Sequence, residues 1–390
     1  MFKVHIRPHW EIRFNSDPPF DTATLLGLLL GIHDTGSIAD AARNVGLSYR
    51  YAWGVLREAE ALFGEALLET GRGRGTRLTP LAEKLAWADR RIAARLSPTL
   101  ASLASELEHE LDQVRTHGRE HGRESGRESG HDGGLHLLRI DASHGFAVAA
   151  LTDYLAQLAP PGKIPVALRY RTSQEAVAAL ARRECDLAGF HVPLGEFEAR
   201  AANWYLRWLD PRQHCLVHLA ARDLGLLVAR GNPLRVQGLD DLVRPELRFV
   251  NRQGGSGTRM LLELMLAARG IGQDAINGWN NAELTHSAVA AYIASGMADV
   301  GIGMRTAAEH FKLEFIPLAR ERYFFALRSD ALHDPLMARV LDILRSDDFH
   351  ARVAALPGYD AARTGRIDGL DQAFNAAPDN HDEDAQTHDS

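Results

Sequence analysis

Cysteine is scarce in this chain: Cys185 and Cys215 are the only two among 390 residues. Two thiols build neither a disulfide framework nor a cysteine-based metal site, so folding must rest on apolar cores. At 45% hydrophobic content, there is material for two or three such cores. Long apolar runs are missing too. The best stretch, Leu25 to Ile32, is too short to span a bilayer and follows Asp17 and Asp21 instead of a basic segment. The expectation is a cytoplasmic chain with no membrane partner. No nucleophile–base pair, metal-ligand cluster or nucleotide motif stands out, so the chain is not expected to be an enzyme, and no cofactor or metal is expected. Positive charge is lacking only at the end. From Ile367 onward there are seven acidic residues and no Lys or Arg, which equals the whole formal net charge of −7. Between Arg43 and Arg95, ten basic residues face six acidic ones. Local charge governs affinity for a polyanion, so the global sign does not exclude nucleic acid.

What is present begins with Gly36 to Trp53. Ser37 can cap a helix whose Ile38, Ala41, Ala42 and Val45 share one face. Gly46 permits a tight turn, and Ser48 can cap a second helix that opens on Tyr49, Arg50 and Tyr51. This spacing is that of a helix-turn-helix, with Ser37, Ser48, Tyr49, Arg50 and Tyr51 as candidate DNA contacts. Glycines then alternate with arginines from Gly71 to Arg77 between the apolar Leu67–Leu68 and Leu78. A short hairpin with a basic tip fits, in which Arg72, Arg74 and Arg77 reach phosphates or the minor groove. These elements make an α+β winged domain over residues 1–80. Residues 2 to 14 alternate apolar and polar and suggest one or two short strands beside it.

Leu81, Leu85, Ala88, Ile92, Leu96, Leu103, Leu107 and Leu111 recur at helical spacing, giving a long helix over 81–115. Pairing with a second copy would bury its apolar face, and Pro98 is expected to kink or split it. A two-fold homodimer also suits a palindromic operator. Residues 116–134 hold a His/Gly/Arg/Glu/Ser repeat with no apolar residue after His117, read as a flexible tether. Residues 364–390 read as an acidic disordered tail.

Between them, 135–363 alternates strand and helix, which implies an α/β unit with mainly parallel sheets. Two stretches echo each other: Ser173 to Leu180 ending in Cys185–Gly189, and Thr285 to Tyr292 ending in Ala298–Gly301. One capped helix and buried strand in each half implies two facing lobes, joined by crossing strands at Leu216–Ala229 and Phe315–Leu327. The stretch Asn251-Arg252-Gln253-Gly254-Gly255-Ser256-Gly257-Thr258-Arg259 lies between a strand and a helix. Its glycines free backbone N–H groups to face an anion, and Arg252 and Arg259 offer charge. Asp186 and Asp299, at strand starts, suit a structural role better than a ligand role. His144, His191 and His286 fall near the cleft between the lobes.

Gly36 to Leu85, with Ser48 to Trp53 and the glycine-rich wing running into Leu78–Thr79, resembles the DNA-binding domain of ModE-type molybdenum regulators. It is similar, more distantly, to the LysR type. The Asn251–Arg259 motif, with Glu283–Ala290 and Ala298–Gly303, resembles the periplasmic-binding-protein-like domain of molybdenum-related regulators and of tungstate- and molybdate-binding proteins of ABC transporters. The resemblance implies a type II two-lobed fold over about Leu135 to Pro357. It also implies an oxyanion held by hydroxyls and N–H groups at helix starts: Ser143, Thr172 or Ser173, Gly255 to Thr258, and Thr285. Molybdate and tungstate are dianions that want donors only, and no carboxylate is expected at those helix starts. The implied function is a transcription regulator that binds a double-stranded operator and senses molybdate or tungstate. Two alternatives stay open: a larger anionic effector contacted by the three histidines, and a cytoplasmic oxyanion carrier.

Overall fold

The computed structural model describes residues 3–13, 20–71, 75–120, 137–158 and 164–374. Its first helix, α1 (Thr22–Thr35), starts where the Asp21 carboxylate accepts from Thr24 N. Helix α2 (Ile38–Asn44) is capped by Ser37, and α3 (Tyr49–Phe63) by Ser48. Gly46 turns the chain between them at a φ of 74°. A side chain at Gly31 would come within 2.8 Å of Ala41 Cβ, so α1 and α2 cross at a distance that requires a glycine. Strands β1 (Leu68–Gly71) and β2 (Gly75–Leu78) pair as an antiparallel hairpin, and Thr76 N donates to Gly36 O, docking the wing on the α1–α2 turn. Leu25, Leu28, Leu29, Ile38, Val55, Leu56 and Leu67 form the core of this unit. The N-terminal stretch is a departure from expectation. Residues 3–13 form no strand, and run extended beside α4 (Pro80–Glu120) instead. Val4 N donates to Glu108 and Trp10 Nε1 to Asp89, so the alternation matches a helix surface and not a neighbouring strand.

Helix α4 runs unbroken past Pro98 and continues to Glu120, so it is not split there and the expected end at 115 is corrected. Proline removes the donor for the carbonyl four residues back. That carbonyl, Ala94 O, accepts from the Thr285 hydroxyl at 3.0 Å, which replaces the lost bond from outside the helix. The helix also has a domain to pack on in its own chain, contrary to expectation, although Leu96, Leu103, Leu107 and Leu111 stay exposed. The rest of the expected tether, from 121 to 134, lies outside the described residues.

The second unit has two lobes. Lobe one holds β3 (Leu138–Ala142), α5 (Phe146–Gln157), β4 (Val166–Tyr170), α6 (Ser173–Ala181), β5 (Leu187–Pro193) and α7 (Glu198–Leu206). The long β6 (His214–Val228) then crosses to lobe two, made of β7 (Phe249–Arg252), α8 (Gly257–Ala268), β8 (Ala282–Glu283), α9 (His286–Ala294), β9 (Val300–Met304) and α10 (Arg305–His310). The chain returns along β10 (Glu314–Arg328) and ends with α11 (Pro335–Arg345), α12 (Asp347–Ala354), β11 (Tyr359–Asp360), β12 (Ile367–Gly369) and α13 (Leu370–Phe374). Sheet order is β4-β3-β5-β10-β6-β9-β7-β8, parallel within each lobe and antiparallel where β6 meets β10. This is the two-lobed binding-protein-like architecture.

The echo between the lobes is visible in atoms. Asp186 receives Arg139 N and its guanidinium, and Asp299 receives Arg248 N and its guanidinium, each tying the start of one parallel strand to the next. Both aspartates are thus structural. Residues 364–374 are not a disordered tail, and the rest of that expected tail, 375–390, lies outside the described residues. Strand β12 pairs with β6, and Leu370, Ala373 and Phe374 are buried, with Phe374 against Phe190 and Phe324. Apolar side chains hold this stretch in place, and Asp368 pairs with His218 and Arg366. No helix among the described residues is long and apolar enough to cross a membrane.

Candidate anion site and DNA-reading surface

Three helices start at the cleft between the lobes: α6 from lobe one, and α8 and α9 from lobe two. The cleft is a cavity of about 310 Å³ lined by Ser143, His144, Thr172, Ser173 and His191 on one side and Arg252, Ser256, Gly257 and His286 on the other. Unpaired N–H groups and the helix dipoles make each such terminus favourable for negative charge. The close approach of the lobes shows at Gly257, where a Cβ would stand 2.4 Å from His191 Nε2.

Beneath the cleft, the two crossing strands carry a buried ion pair. Arg222 on β6 and Glu321 on β10 face each other in register, with guanidinium–carboxylate contacts of 3.0 and 3.2 Å and no solvent exposure. Sequence reasoning missed this pair. Arg222 stands next to Asp223, and Glu321 lies between Arg320 and Arg322, so no local signal set the pair apart. Arg252 is buried as well and donates to the Glu283 carbonyl. Burial pushes its pKa down to about 9, assisted by Arg222, so it stays protonated at neutral pH.

The three histidines share this field. Burial, then the charges of Arg252 and Arg222, push His144 down to about 4. His191 falls to about 4, chiefly by burial and against the pull of Glu321, and His286 lies well below its ordinary value for the same first cause. His144 Nδ1, His191 Nε2, His286 Nδ1 and Arg252 Nε, all on residues that line the cavity, are buried atoms with no hydrogen-bond partner among the described residues. Buried polar atoms without partners are uncommon, and a cluster facing a cavity suits a polar occupant.

Not every expected residue reaches the cavity. The Thr285 hydroxyl accepts from Ala288 N and donates to Ala94 O, so no proton is left for a ligand. Thr258 and Gly255 do not line the cavity, Gly255 serving the turn at a φ of 77°. The Thr172 hydroxyl donates to Glu175 in a reciprocal cap, and this glutamate lines the cavity. A carboxylate does stand at a helix start, which corrects the expectation of donors alone. Ser143 caps no helix; it follows directly after β3, and its hydroxyl and carbonyl both meet Tyr323 OH. Arg259 pairs with Glu263 and stacks over Trp279 in a structural role. Two lining residues come from outside the lobes altogether: Pro98 and Thr99 of α4.

At the other end, the Ser37 and Ser48 hydroxyls accept from Asp40 N and Tyr51 N, so both act as caps. Tyr49 and Tyr51 are about half exposed, at 53% and 54%, and Arg50 and Arg77 are exposed. Large aromatic rings held in water at a helix N-terminus beside an arginine suit a base and phosphate contact surface. Arg72 and Arg74 lie outside the described residues.

Comparison with known proteins agrees with this division. Residues 24–83 match the bacterial regulatory helix-turn-helix protein of the lysR family, and residues 155–345 match the PBP superfamily domain. The uncharacterized protein YvgK of Bacillus subtilis (strain 168) is 33% identical over 199 residues, covering 51% of this chain and 64% of its own length. The chain thus spans less than two thirds of that relative. An uncharacterized protein encoded 5′ of a 2Fe-2S ferredoxin gene in Clostridium pasteurianum is 33% identical over 109 residues, which are 28% of this chain and 96% of that one. Among solved structures, CbnR, a LysR family transcriptional regulator, is 17% identical, covering 82% of this chain and 98% of its own, with a TM-score of 0.37.

Proposed function

We propose, from the lysR-family helix-turn-helix match over residues 24–83 and the PBP-superfamily match over residues 155–345, that the chain is a regulator that reads a DNA operator under the control of a small anion held between its lobes. One observation carries this reading: three helix N-termini meet at one cavity that also holds buried Arg252 and three neutral histidines. The helix termini and the Arg252 charge favour an anion in this cavity, with Glu175 the one carboxylate on its wall among the described residues.

Molybdate or tungstate is the proposed effector. The Trp53 helix and the glycine-rich wing supply the ModE likeness, and Ser173 and the N–H at Gly257 supply donors for a tetrahedral oxyanion, while the Ser256 hydroxyl gives its proton to the Gln253 carbonyl. A larger anion, such as an organic acid or a pterin phosphate, is the second reading. Its support is specific: the 310 Å³ cavity sits at the size of small-molecule pockets, and Glu175 offers an acceptor that a bare dianion does not need. The leucine stripe on α4 is proposed to pair two copies, placing two α3 helices on two half-sites.

Binding of an anion to the folded state alone raises thermal stability. Melting the full chain with molybdate, tungstate, sulfate, phosphate or buffer separates the readings. A rise with the first two only supports the metal-oxyanion sensor. A rise with an organic acid and none of the four moves the function to the larger effector. No rise with any anion, together with unaltered DNA binding, sinks anion control.

A further inference from the structure

Helix α4 crosses the mouth of the cleft and is fastened to both lobes. On lobe two, Arg91 donates to Ser295 Oγ at 3.0 Å, Arg95 stands 3.8 Å from Glu283, and Thr285 donates to the Ala94 carbonyl. On lobe one, Ser102 Oγ accepts from Tyr170 N at 2.9 Å, and Ser105 Oγ accepts from Leu168 N at 2.8 Å. Strand β4 is the edge of the sheet, so these serines satisfy N–H groups that no strand reaches. Between the two sets of fastenings lie Pro98 and Thr99, facing the cavity.

Building on the anion reading above, we propose that α4 is the third wall of the effector site, with Thr99 a ligand contact, so that the anion enters and leaves only as α4 lifts. The fastenings and the lining residues are neighbours in the chain. Thr285, which holds Ala94, caps α9, and the first residue of α9, His286, lines the cavity. Tyr170, whose N–H meets Ser102, lines it too. Pro98 creates the attachment, because an ordinary residue there would satisfy Ala94 O inside the helix. The same helix begins directly after the wing, and its Arg90 grips Asp34 of α1 at 2.6–2.7 Å. Occupancy of the site and the position of the DNA-reading head are thereby one mechanical variable.

Two measurements on the full chain test this. The first needs no ligand. Ser173→Cys places a thiol on the cavity wall, against the two buried native cysteines as background, and an anionic methanethiosulfonate reports its access. Labelling is expected to be at least about fivefold faster when Arg91→Ala and Arg95→Ala release α4 from lobe two. Equal rates in the two backgrounds, whatever their value, overturn the closure. The second titrates tungstate and molybdate into the parent and into Thr99→Val. Loss of one hydroxyl donated to a charged ligand is expected to weaken binding about tenfold, and equal affinity overturns the contact. If the parent binds neither anion, the oxyanion reading fails by itself, while the labelling still decides the place of α4.

Discussion

Protons should follow the anion into the cleft. Burial holds His144 and His191 at about 4, so both are neutral at pH 5.5 and above. An opposite charge within about 4–6 Å shifts a titrating group by about one to three pH values, so a bound dianion should lift each histidine from about 4 to about 6. At pH 7 the change adds almost nothing to affinity, since a group at about 6 is still mostly neutral there. At pH 5.5 the bound form is about three-quarters protonated and the free form is not. By linkage, each histidine then tightens binding about fourfold between pH 7 and pH 5.5, and takes up about 0.7 proton. Calorimetry at pH 5.5 in two buffers of different ionisation enthalpy reads the uptake directly. Absence of proton uptake, with binding intact, would falsify the placement of the anion beside these histidines. The free protein obeys the opposite sign. Its histidine pKa values are depressed, so the unfolded chain binds protons first, and this source of stability is complete above about pH 6.5 and lost toward pH 4. The anion should therefore protect most strongly at the acidic end, as a larger rise in melting temperature at pH 5.5 than at pH 7.

Other perturbations have equally definite outcomes. Gly257→Ala puts a methyl group 2.4 Å from His191 Nε2; it should cost about 1–3 kcal/mol and remove the anion-induced thermal shift, whereas Gly254→Ala, with nothing within 4 Å, should change neither. Glu321→Gln leaves Arg222 buried without its counter-charge and should destabilise the chain by about 3–5 kcal/mol in a urea melt; a loss under 1 kcal/mol would show the pair to be solvated. Arg50→Ala should weaken DNA binding and reduce its salt slope by about one, with the anion shift retained; loss of both together would mean misfolding.

Local patterns in the chain contain much of this architecture. Ser37, Gly46 and Ser48 mark their helix-turn-helix because caps and left-handed turns are decided within a few residues. The paired lobes are legible for the same reason, since each repeats a capped helix, a tight turn and a short buried strand. The three helix starts at the cleft could be named in advance, because Thr172, Ser256 and Thr285 are N-caps with local signatures. What those caps do was not legible. Thr172 turns to Glu175 and Thr285 to Ala94, and only the folded chain says whether a hydroxyl has a proton to spare. The Arg222–Glu321 pair needed the register of β6 against β10, residues 99 apart in sequence. Pro98 reads locally as a helix breaker; a partner on α9 satisfies the carbonyl it frees and keeps α4 whole. The tail likewise reads as solvated acid until Leu370 and Phe374 find an aromatic surface supplied by β5 and β10. Short-range caps, turns and periodicities determined the elements and their order. The contents of the site, its charge and the helix that closes it were decided by contacts between segments far apart in the chain, where a buried polar group takes whichever partner the packing brings within reach.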